Sequence, residues 1–167
     1  MLDRVIPFAL AAVILVIDQI TKNLIKAHVS AWQTLVVVPG FFNIVHAENP
    51  GMAFSLLADA SGLWRNVLLI GLSFSVAGFI AILLLRGGTA QHWLVRFGLS
   101  LVLGGALGNL YDRAAHGTVT DFVEVYVGTH FFPAFNVADS AISVGAALLI
   151  VDIWRTRERP KQVVNVP

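Results

Sequence analysis

The chain has 167 residues, of which 57% are hydrophobic and only 13% charged, and its mean hydropathy is +0.78. That is half the charged fraction of a soluble domain, about 25%, so an ordinary soluble globule is excluded, and so much apolar surface excludes disorder. A net charge of +1 gives no case for nucleic-acid binding, and without cysteine there are no disulfides, thiolate metal ligands or cysteine nucleophile.

Four apolar runs are long enough to cross a bilayer as helices, the lowest-cost way to satisfy a backbone in lipid. The first, about residues 5–26, is interrupted by Asp18, Gln19, Thr21, Lys22 and Asn23. It resembles a secretory leader in position, but its length and the Asp18–Lys22 cluster predict a retained span. Asp18 and Lys22 lie four apart on one helix face and can pair. In the outer-face segment 28–63, Thr34–Val38 and Phe41–Val45 are β-rich and split by Pro39-Gly40, the pattern of a small hairpin. It also carries Glu48-Asn49-Pro50-Gly51-Met52-Ala53-Phe54. The second span is predicted at about 64–86. The third, about 93–113, ends in Gly104-Gly105-Ala106-Leu107-Gly108-Asn109-Leu110-Tyr111-Asp112-Arg113. Gly104 and Gly108 form a small-xxx-small pair for close helix approach. Packing does not explain Asn109, Asp112 and Arg113, although Asp112 and Arg113 could pair at the interface. A second outer-face segment, 112–136, holds a strand-like Val119–Val127 with Asp121 in it. The fourth span, about 137–155, opens with Asn136 and Asp139, and Asp152 near its other end reads as interfacial and solvated. A basic, then polar, tail follows.

Basic residues set orientation. Arg4, Arg86, Arg96, Arg155, Arg157, Arg159 and Lys161 collect on one side; Lys22, Lys26, Arg65 and Arg113 are on the other. Both termini and the Arg86–Arg96 loop are therefore expected in the cytoplasm and segments 28–63 and 112–136 outside. Trp32, Trp64, Trp93 and Trp154 all fall at span ends, as interfacial anchors do. The expected fold is an all-α polytopic membrane protein, one domain of four transmembrane helices with a small β-rich platform on its outer face.

Charged groups in or beside a span are costly and need an account. Asp18 and Lys22 could simply lock the first helix to its neighbours. Asp121 and Asp139 both precede or open the fourth span on the outer side. Two aspartates brought together cannot both ionise cheaply, so one keeps a proton while the other activates a water. Asp139 has a structural alternative, a capping-box pair with Asn136; Asp121 could be a strand-end turn residue. A helix N-terminus favours the ionised form of Asp139, which makes Asp121 the partner expected to hold the proton more often. The scattered histidines, without His-Glu-x-x-His, argue against a zinc protease, and there is no Gly-x-Ser-x-Gly. Neither a serine–lysine dyad nor a phosphate loop is suggested.

Together, Asp18-x-x-Thr21-Lys22, Asn49-x-Gly51-x-Ala53-Phe54, Gly105-Ala106-x-Gly108-Asn109-x-x-Asp112-Arg113, Gly117-x-Val119-x-Asp121-Phe122 and Phe135-Asn136-x-Ala138-Asp139 resemble lipoprotein signal peptidase, the signal peptidase II family. Each motif alone is weak; five in order on four spans are specific. The resemblance implies an aspartic endopeptidase of the bacterial inner membrane that removes signal peptides from diacylglyceryl-modified prolipoproteins, cutting just before the lipidated cysteine. It implies Asp121 and Asp139 as the catalytic pair. Asp18, Lys22, Asn49, Gly51, Asn109, Arg113 and Asn136 would bind substrate or support the pair. It implies no metal or other cofactor, prolipoprotein and membrane phospholipid as partners, no nucleic acid, and an outer-face (periplasmic) site for which a monomer suffices. Two rivals remain from the residues alone. A proton-coupled carrier using Asp18 and Asp139 would transport in liposomes and survive Asp121→Asn, and a non-catalytic assembly factor would tolerate loss of either aspartate.

Overall fold

All four apolar runs are helical: α1 (Leu2–His28), α2 (Gly62–Gly87), α3 (Trp93–His116) and α4 (Val137–Arg157). Between them, among the described residues, lie four strands, β1 (Thr34–Val38), β2 (Phe42–Asn49), β3 (Val119–Val127) and β4 (His130–Phe131). The computed structural model describes residues 2–31, 33–51, 62–87 and 92–157. Trp32, the Met52-Ala53-Phe54 part of the second motif, and Arg159 and Lys161 of the tail lie outside the described residues.

The helices carry their apolar side chains outward. Phe74 is 70% exposed and Phe79 62%, which suits lipid and not water. In the most apolar window of α3, 61% of residues are buried, against 22% for α1 and α2 and 17% for α4. α3 is therefore the central helix, and its glycines show why. A Cβ on Gly104 would fall 2.6 Å from the Ala11 carbonyl oxygen of α1. On Gly105 it would strike the Ala138 carbonyl of α4, and on Gly108 it would sit 2.5 Å from Asp18 Oδ2. These glycines bring α1 and α4 against α3 at backbone distance, as the small-xxx-small spacing predicts. α3 runs a turn further than the predicted 113 and stops at Gly117, whose left-handed φ of 78° lets its N–H donate to the Arg113 carbonyl. Asp112 and Arg113 are thus helical. Trp64, Trp93 and Trp154 are 66%, 65% and 73% exposed at helix ends.

The hairpin also forms, turning at Gly40 (φ 81°), but β2 runs on to Asn49. The strands make one antiparallel sheet in the order β1-β2-β3-β4; β4 had no sequence signal. A bulge in β2 shifts the pairing from Ile44↔Val123 to Ala47↔Asp121. Side chains alternate along a strand, so without the extra residue Asn49 would point to the face opposite Asp121. The bulge puts Asn49, Ala47 and Asp121 on one face.

Candidate active site

Asp121 on β3 and Asp139 in the first turn of α4 come together where the sheet meets the helices. Asn136 joins them. Its side-chain Nδ2 donates to Asp121 Oδ1 (2.6 Å), its Oδ1 accepts from the Asp139 backbone N–H (2.9 Å), and its own N–H faces Asp139 Oδ2 (3.3 Å). This is a capping box whose cap residue also holds the second aspartate. The helix-cap geometry and the paired arrangement are therefore both present. Asp121 lies inside a strand and not at its end. Asn49 Nδ2 donates to Asp121 Oδ2 (2.9 Å), while Asn49 Oδ1 accepts from the Gly51 N–H (2.8 Å). Gly51 has φ 93°, and a Cβ there would collide with Leu69 of α2.

Asp121 is 3% exposed. Burial pushes its carboxyl up to about 6, against the Asn49 hydrogen bond; the Asp139 charge raises it further, and the Asn136 bond opposes. Asn109 of α3 donates from Nδ2 to Asp139 Oδ1 at 2.7 Å.

Beneath this pair is a buried ionic cluster. Lys22 Nζ contacts Asp18 (2.7 Å), Asp112 (2.8 Å) and Asn109 Oδ1 (2.9 Å). Lys22, Asp18 and Asp112 are each 1% exposed or less. Asp18 Oδ1 also accepts from the Ala138 N–H at the start of α4 (2.9 Å). Because Lys22 takes the Asn109 oxygen, the Asn109 NH2 is left pointing at Asp139. The expected Asp18–Lys22 pair forms, and Lys22 also holds Asn109, the residue that donates to Asp139. Asp112 does not make the exposed pair with Arg113; it is buried on Lys22, because positions 109 and 112 share the α3 face turned to α1. Gln19, in the sequence only an interruption of the first span, donates to Asp112 Oδ1 (3.0 Å). The one available signal was its place beside Asp18. Arg113 lies within electrostatic reach of Asp139, Asp121 and Asp112, and its Nε has no hydrogen-bond partner among the described residues. At the far end of α4, Asp152 keeps 16% of its side chain exposed and lies 3.2 Å from His92 Nδ1, so this interfacial carboxylate also has a partner.

Residues 10–155 match the family model for signal peptidase (SPase) II. The chain belongs to the signal peptidase II family. It is 44% identical over 162 residues to the lipoprotein signal peptidase of Solibacter usitatus, covering 95% of this chain and 94% of that one. It is 44% identical over 155 residues to that of Pseudomonas fluorescens, covering 92% and 90%. A bacterial membrane enzyme solved by the in meso method at 2.3 Å resolution superposes with a TM-score of 0.79 at 27% identity, covering 94% of this chain and 93% of its own. A second such enzyme, at 1.9 Å, gives a TM-score of 0.76 at 28% identity, covering 88% and 91%. This signal peptidase II family member is thus a bacterial multi-pass membrane protease, and an aspartic mechanism is consistent with the family.

Proposed function

We propose that this chain is a single-domain aspartic endopeptidase that removes the signal peptide from diacylglyceryl-modified prolipoproteins, cutting just before the lipidated cysteine. The observation that carries this reading is the Asp121–Asn136–Asp139 bridge, with Asp121 pushed up to about 6. Such a pair shares one proton up to about pH 6 and keeps it in part of the population at neutral pH, without a metal. Asp139, at a helix N-terminus, takes a proton from water as that water attacks the scissile carbonyl. Asp121, protonated, donates a hydrogen bond to the carbonyl oxygen, and as the C–N bond breaks and the C=O re-forms, Asp139 passes the proton it took from water to the leaving nitrogen, which regenerates the pair. Arg113 stabilises the developing oxyanion. Asn49 and Asn136 hold Asp121, and Asn109 holds Asp139. Gly51 allows the extended substrate backbone close. Asp18 and Lys22 act through Asn109.

The basic residues Arg4, Arg86, Arg96 and Arg155 at the end opposite the aspartates support cytoplasmic termini and an outer-face, periplasmic site. There water reaches the peptide while acyl chains stay in the bilayer phospholipid. One chain carries every residue named, so a monomer suffices. Purified protein should cleave a lipidated prolipoprotein and should release the lipidated cysteine as the new N-terminus. Cleavage at another bond, read by mass spectrometry, would contradict the proposal.

A further inference from the structure

A cavity of about 480 Å³ opens beside the aspartate pair, between the 132–135 connection and Asp139, Ser140, Ser143 and Val144 of α4. It is continuous with the site, because Asp139 forms part of its wall. It is also continuous with the surroundings of the helix: Val144 is 51% and Phe132 70% exposed. Its walls are largely apolar, with two hydroxyls. The Ser140 hydroxyl is committed, donating to the Asn136 carbonyl at 2.9 Å. Ser143 is exposed on α4 and has no hydrogen-bond partner among the described residues. A free hydroxyl facing an apolar cavity within a span is an isolated polar handle, the arrangement by which a ligand pocket fixes orientation.

We infer that Ser143 is a substrate-binding residue that donates a hydrogen bond to an ester carbonyl of the diacylglyceryl group on the substrate cysteine, with this cavity receiving the head of that group. The inference rests on the proposed peptidase function and adds a specificity determinant to it. The spacing supports it. Ser143 is one turn from Asp139, ~6 Å further into the span. The cysteine Cα and Cβ, the thioether sulfur, two glyceryl carbons and the ester oxygen link the scissile nitrogen to the nearer ester carbonyl, a chain long enough to span that distance. With the scissile bond at Asp139, the ester therefore reaches Ser143, and its chains continue past Val144 toward lipid. A carbonyl entering this apolar wall would lose its water, and the Ser143 hydroxyl replaces it.

The test uses two synthetic lipopeptides of one sequence, with the cysteine carrying either a diacyl (ester) or a dialkyl (ether) glyceryl group. With the ester substrate, Ser143→Ala should raise KM about three- to tenfold, the worth of one such hydrogen bond, with kcat unchanged. Ser143→Thr, which keeps the hydroxyl, should retain the wild-type KM. With the ether substrate, wild type and Ser143→Ala should have equal KM. Unchanged KM for the ester substrate in Ser143→Ala, or equal losses on both substrates, would overturn the inference while leaving the peptidase function intact. Failure of the wild-type protein to cut either lipopeptide would instead remove that function, and this inference with it.

Discussion

Replacing Lys22 with methionine keeps the length of the side chain and deletes its charge. Lys22 is 1% exposed and holds Asp18 at 2.7 Å and Asp112 at 2.8 Å. Without it, Asp18 keeps the Ala138 N–H and a long contact from Gln19, and among the described residues Asp112 keeps only Gln19. Two buried carboxylates then face each other with no cation between them. Removing one member of a buried ion pair costs about 3–5 kcal/mol. At about 2–4 °C per kcal/mol for a chain of this size, Lys22→Met should lower the melting temperature by about 6–20 °C. Intrinsic tryptophan fluorescence during heating in detergent micelles measures this. Lys22→Met with Asp112→Asn should recover part of the loss, because one stranded charge is gone. Activity should fall further than stability explains. Lys22 fixes the Asn109 oxygen, so its loss frees that amide to turn and present oxygen to Asp139. Misplacement of a positioning group by about 1 Å costs on the order of 10²-fold in kcat. A melting temperature within 2 °C of wild type, or a double variant no more stable than the single, would refute the argument.

Three other outcomes follow from the same geometry. Gly105→Ala should destabilise strongly, because its Cβ meets the Ala138 backbone, while Gly71→Ala, with nothing within 4 Å, should be neutral or slightly stabilising. The same melting assay compares them, and equal shifts would contradict the close-packing account. A protonated-carboxyl infrared band that Asp121→Asn removes should bleach as pH rises through about 6, with its midpoint lowered in Asp139→Asn because the neighbouring charge is absent. The linkage sign is that of an acid with a raised folded value: the contribution of Asp121 to stability is fully present below 3.8 and is lost as pH rises to about 6. Asn136→Ala should lose nearly all activity and about 1 kcal/mol of stability, since it removes an N-cap as well as the bridge; activity near wild type would contradict the bridging role.

Much of this arrangement is legible in the sequence. Hydropathy over 20-residue windows marks the spans because the bilayer requires them. The separation of four between Asp18 and Lys22, and of three between Asn136 and Asp139, encodes contacts within one helix turn, and both form. Contacts between elements are less legible. The partner of Asp112 is 90 positions away on α1, so reading it beside its neighbour Arg113 gave the wrong pair. The β2 bulge, which turns Asn49 onto the face of Asp121, leaves no mark in an alternating pattern read strand by strand. The His92–Asp152 pair likewise joins the start of one helix to the end of another.

The most direct test of the paired-aspartate peptidase is an endpoint assay with purified protein and a diacylglyceryl-modified prolipoprotein, run with and without chelator. Wild-type protein should release the signal peptide equally in both conditions, and Asp121→Asn and Asp139→Asn should each abolish release while remaining folded. Release by the double variant, or loss of wild-type activity on chelation, would contradict the mechanism.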